Sequence, residues 1–202
     1  MANWALTDYA IEGPMETLKK IEQAILNHPV KEGSDEQWEG NILEALGIKW
    51  EDKNVNPKEG LYMRGFINED TLEYSRDTAL HFSAMEAWGV TDFYKALMQG
   101  LPGIKVYWCT VEEGEEVFAT NDTEGYHFPE RFHVEACIDG EYSIEYFIYQ
   151  SDMFKWLYDI TNGRVNSMEK VEQFNADYEN SDACDENYIS IHEYQVVDTN
   201  MK

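Results

Sequence analysis

LYMRGFINEDTLEYSRDTALHFSAMEAWGVTDFYKALMQGLPGIKVYWCTVEE, residues 61–113, is the stretch whose reading decides the architecture. Tyr62, Arg64 and Phe66 alternate with Leu61, Met63 and Ile67, which predicts a strand over Leu61–Asn68. Glu69-Asp70 reads as a turn, and Thr71–Trp88 as a second, long strand that Arg76-Asp77-Thr78 bends or bulges. His81–Ala87 also accepts a helical reading. Trp88-Gly89 turns the chain, and Thr91 caps a helix that points Phe93, Ala96 and Leu97 inward until Gly100 and Pro102-Gly103 end it. Ile104–Val111 is then a strand, returned by an acidic turn into Val117–Thr120.

Upstream, Asn3–Glu12 has apolar residues in both phases, the pattern of a central strand. Gly13-Pro14 ends it and opens a helix with a stripe of Met15, Leu18, Ile21 and Ile25. His28–Gln37 is a polar loop, and a short helix over about Glu36–Leu46 closes at Gly47. The order to this point is β-α-(α)-β-β-α-β, the split β-α-β of a ferredoxin-like α+β fold, with an antiparallel sheet and helices on one face. Residues 1–120 form this core.

Residues 121–202 add a hairpin, two helices and a last strand, packed on the same sheet as part of one compact unit. Asp139-Gly140 is the pair that a two-residue type I′ turn requires, with arms Arg131–Ile138 and Glu141–Tyr149, and the hairpin is expected to extend the sheet. Ser151 and Ser167 are expected to cap the two helices, and Tyr188–Val197 to close the fold as a strand.

The charge is lopsided. Forty acidic residues face fifteen basic ones, for a net of −25; 18 acids and 10 bases precede position 109, while 22 and 5 follow. A field of that sign repels nucleic acid and anionic membranes and attracts cationic partners. With 43% hydrophobic and 14% aromatic residues, the chain has the means to build a packed core. No signal peptide and no apolar run of membrane-spanning length is visible, and Cys109, Cys137 and Cys184 form no C-x-x-C pair, as in a cytoplasmic protein with reduced thiols.

Chemistry-bearing patterns are sparse. His127-x-x-Glu130-x-x-His133 offers ligand types at spacings that do not converge, with Pro129 breaking the element, so no metal site is expected. Cys109 and Cys137 sit in apolar strands, where a thiol is blunted as a nucleophile for a base such as His81 or His192. Gly100-x-x-Gly103 lacks the lysine of a phosphate loop, and no cofactor is implied. Glu112/Glu113 and Glu115/Glu116 are adjacent acids of the kind a solvated turn carries. The best candidates for a binding site are the aromatics Trp88, Tyr107, Trp108 and Tyr62, with Glu112 and Glu113 beside them; no residue reads as catalytic.

Ala87-Trp88 ahead of a short helix, Pro102…Tyr107, and Glu112-Glu113-Gly114-x-x-Val117-Phe118 together resemble the plasmid- and phage-associated YubB-like family over about Leu61–Asn121. The opening Trp4-x-x-Thr7-Asp8-Tyr9-x-Ile11-x-Gly13 is similar to relatives of that family in gut bacteria. The resemblance implies a ferredoxin-like domain and a mobile-element setting, and it implies no activity. The leading functional expectation is a non-enzymatic module whose acidic surface engages a basic protein, in its sharpest form by mimicking nucleic-acid charge. The alternative is a small-molecule-binding protein or hydrolase using an aromatic groove near Trp88.

Overall fold

The computed structural model describes residues 3–27, 38–75, 79–179 and 186–198. Expectations for the loop before the short helix, the bend at Arg76-Asp77-Thr78, Cys184 and the last four residues lie outside these. The fold is α+β, and the chain divides into two units, Met1–Thr123 with Val196–Lys202, and Glu124–Gln195.

The first unit holds β1 (Trp4–Glu12), β2 (Gly65–Tyr74), β3 (Leu80–Ala87), β4 (Lys105–Glu112) and β5 (Val117–Thr120), which with β9 (Gln195–Val196), at the boundary of the two units in the chain, form a sheet ordered β2-β3-β1-β4-β5-β9. The pairings of β1 with β3 and β4, of β2 with β3 and of β4 with β5 are all antiparallel. β1 is central, as its two apolar phases require. Three helices, α1 (Met15–Asn27), α2 (Glu39–Ala45) and α3 (Phe93–Gly100), send Leu18, Ile21, Ile42, Leu43, Phe93 and Leu97 into one core with Tyr9, Ile11, Phe82, Ala84, Val106 and Trp108. Met15, expected in the buried stripe, is instead an exposed residue at the first turn, and Ala24 takes its place inside.

The first hairpin differs from its expected position. Glu69-Asp70 is not the turn: β2 runs on to Tyr74, and the register against β3 shifts between Asn68 and Glu73. Thr71 makes that irregularity possible, since its hydroxyl donates to Asn68 O (2.6 Å) and accepts from Ser83 N–H (2.8 Å). Thr71–Tyr74 therefore belongs to the first strand of the pair, and His81–Ala87 is strand rather than helix.

In the second unit, β6 (Phe132–Ile138), β7 (Glu141–Phe147) and β8 (Tyr188–Glu193) make a separate three-stranded sheet ordered β7-β6-β8, so the hairpin does not extend the first sheet. The turn is as read: Asp139 and Gly140 both have positive φ (51° and 82°). α4 (Gln150–Ile160) and α5 (Met168–Tyr178) bury Met153, Leu157, Val171 and Phe174 against Val134, Ala136, Ile138 and Ile189. Ser167 caps α5 by accepting from Lys170 N–H; Ser151 does not cap α4, which starts one residue earlier with Tyr149 in the capping position.

Candidate functional site

The structure scatters the aromatic candidates. Trp108 is core, packed on the helix side of β4 against Tyr94 at a ring separation of 5.8 Å. Tyr107, its neighbour, therefore points to the other face. Tyr62 lies before β2, its N–H bound to Asp92 Oδ2 (2.9 Å). Glu112 is buried and ties down the following turn, accepting from Gly114 N–H (3.0 Å) and Glu115 N–H (2.6 Å), while Glu113 is exposed. These five do not form one groove: Trp108 and Tyr107 lie on opposite faces, and Glu112 is buried in its own turn. Cavities of about 750 and 780 Å³ in this unit are lined by other residues, Trp50 with Glu44, Glu51 and Glu59 in one, Ala24, Leu46 and Leu101 in the other. Of the remaining candidates, His127 and Glu130 precede β6, His133 is buried on β6 and stacked on Tyr146 (4.9 Å), Cys137 is buried and Cys109 half-buried.

Of this set Tyr62 lies closest in the fold to Trp88, its hydroxyl reaching Ala87 O at 3.4 Å. Trp88 is 49% exposed and holds φ at +61°, a backbone region that a bulky residue rarely enters. The Arg64 guanidinium lies 4.9 Å from its ring centre, a favourable cation–π distance. Because these three helices all pack on one face, they leave the alternating strand residues of the opposite face without cover from any of the three. There the register sets Phe66, Met85, Leu6 and Val111 in one row across four strands. Trp4 packs on Phe66 at 5.6 Å, and Trp4, Leu6 and Met85 are each more than 40% exposed. A contiguous apolar row of this kind is uncommon on a free surface. It is bordered by acids: Asp8, held by Ser83 Oγ–H at 2.6 Å, and the turn carrying Glu113, Glu115 and Glu116 beyond β4.

Beneath that face lies an arrangement that no candidate from the sequence included. Glu39, the first residue of α2, and Glu86 of β3 are both fully buried. Glu86 Oε1 accepts from Tyr9 Oη–H (2.7 Å) and Thr91 N–H (3.1 Å). Thr91 Oγ1 lies 2.7 Å from Glu86 Oε1 and 2.9 Å from Glu39 Oε2, and accepts from Phe93 N–H at 3.2 Å. The second oxygens of the two carboxyls, Glu39 Oε1 and Glu86 Oε2, have no hydrogen-bond partner among the described residues. Gly65 lies opposite, and a Cβ there would overlap Glu39 Oε1, so a larger residue must displace the Glu39 carboxyl. Burial first, then the charge of Glu86, pushes the Glu39 carboxyl well above its usual range, and burial with the two carboxyls raises Tyr9 likewise. A helix N-terminus favours an anion by only about 0.3–1 kcal/mol. Burying the charge costs several kcal/mol, so the neutral acid wins at Glu39. The sequence did hold a signal: Glu86 shares its strand phase with Leu80, Phe82 and Ala84, and Glu39 shares a helix face with Ile42 and Leu43.

Comparison with protein-family models, with curated proteins and with solved structures returns no match. None of the described helices is long and apolar enough to cross a membrane.

Proposed function

We propose that this chain is a non-enzymatic interaction module that binds a cationic protein through the uncovered face of its first sheet. The observation that carries the reading is the exposed apolar set Trp4, Leu6 and Met85 on that row and at its edge, with Trp88 exposed in the turn after β3, among carboxylates. The apolar row supplies area to bury, and the surrounding charge selects a partner with lysine and arginine around an apolar strip. A second copy of this chain is disfavoured as occupant, because two molecules each of net charge −25 repel. The order β2-β3-β1-β4, with α1 and α3 as the crossovers, supports a ferredoxin-like reading of this unit. A mobile-element setting and mimicry of nucleic-acid charge belong to the same proposal, on the YubB-like resemblance and the charge.

The hydrolase alternative has less support, since Trp108 is buried in the core and Glu112 is taken up by the turn that follows it, which leaves no carboxylate of the candidate set free beside Tyr62 and Trp88. The test is capture from lysate at low salt, comparing the native chain with Leu6→Asp. The expected result is a basic protein retained by the native chain, lost from the variant and released by moderate salt. Equal capture by both, or capture of acidic proteins only, contradicts the proposal.

A further inference from the structure

The geometry points to a buried proton-binding site formed by Glu39, Thr91 and Glu86, in which Glu39 is the neutral acid and its proton locks α2 to the strand and loop that carry Glu86 and Trp88. The argument is one of counting. A threonine hydroxyl gives one hydrogen and accepts two. Thr91 Oγ1 has three polar neighbours besides its own chain bonds: Phe93 N–H, Glu86 Oε1 and Glu39 Oε2. Phe93 N–H uses one lone pair. The single hydroxyl hydrogen serves one carboxyl oxygen, and it goes to the nearer, on Glu86, at 2.7 Å.

That leaves the 2.9 Å contact with Glu39 Oε2 bonding only if Glu39 donates. A proton on Glu39 Oε2 gives each of the three contacts of Thr91 Oγ1 one donor and one acceptor. Without it, two anions face one another in a site where neither is exposed. Tyr9, neutral and donating to Glu86 Oε1, supports Glu86 as the single anion.

The groups around the pair are named by the elements that pack on it. β1 contributes Tyr9; the segment before β2 contributes Tyr62, with Arg64 beside it; the start of α3 contributes Asp92, paired with Lys95. Asp92 adds a further negative field toward Glu39 and so favours the bound proton. The sign follows from the proton balance. The folded state holds a proton that the unfolded chain, with Glu39 near its ordinary 4.5, has released, so stability falls as pH rises from there through the raised folded value. The lock spans the 86–91 loop, because Glu86 Oε1 also takes Thr91 N–H and thereby holds Trp88 in its left-handed turn.

Two measurements on the full chain test this. In infrared difference spectra at neutral pH, the native protein should show the band of a protonated carboxylic acid shielded from exchange, and Glu39→Gln should lack it. In thermal melts, the native Tm should fall by about 3–5 °C per pH unit across the window between the two states of Glu39. Glu39→Gln, whose amide donates to Thr91 without titrating, should be flat by comparison over the same range. No protonated-acid band in the native protein overturns the proposal, whether or not the variant folds. So does a Glu39→Gln profile with the native slope.

Discussion

A threonine hydroxyl has one proton to give and two lone pairs to offer, and Thr91 Oγ1 has a neighbour for each. Thr91→Val keeps the shape and removes all three bonds. It strands buried groups that have no water to turn to, so the expected cost is about 2 kcal/mol in urea unfolding, with an unchanged denaturant slope. A loss under about 0.5 kcal/mol would show that these contacts are incidental. Why the pair escaped a reading of the sequence is a matter of background. Glu39 and Glu86 are two of forty acids and lie far apart in the chain, and nothing local marks them as partners. The phase of β3 does mark Glu86 as inward, because it continues the buried series Leu80, Phe82, Ala84. An acid in a buried phase is costly unless satisfied, and that cost was the available clue. Trp88 was visible as a candidate from the start, but its exposure was not, because exposure depends on the positive φ and on which face the helices cover.

Among the elements, those set by local chemistry were legible and those set by pairing were not. β1, α1, α3 and the Asp139-Gly140 turn follow from periodicity, Pro14 and the type I′ requirement, although Asp92 and not Thr91 holds the capping position of α3. The β2–β3 hairpin was misplaced because Glu69-Asp70 has turn composition, while the real structure there is an irregular strand stitched by Thr71. The second hairpin holds a subtler lesson. A two-residue turn pairs Ile138 with Glu141, so the apolar arm Phe132, Val134, Ala136, Ile138 shares its face with Glu141, Ser143, Glu145 and Phe147. Tyr142, Ile144 and Tyr146 fall on the other face, where all three are exposed. Gly140→Ala isolates the turn's contribution, because a Cβ at that position meets nothing within 4 Å. The only cost is the positive φ of 82°, so about 1 kcal/mol of lost stability is expected in chemical unfolding. A neutral result would mean that the turn relaxes to another type.

At the scale of the molecule, charge and the uncovered sheet face carry the account together. Each unit has its own apolar cluster, so the surface acids are not needed to build either core. A net charge of −25 works against compactness and self-association, and it serves solubility and the choice of partner. On the proposed reading, the apolar row on the first sheet is the place where a cationic partner would gain buried area. The second unit offers a rival surface in the tyrosines of β7, so location decides between them. Hydroxyl-radical footprinting of the captured complex is the most direct measurement. Protection of Trp4, Met85 and Trp88 relative to the free chain is the predicted result. Protection confined to Tyr142, Tyr146 and Tyr149, with Met85 and Trp88 reacting as in the free chain, would contradict it.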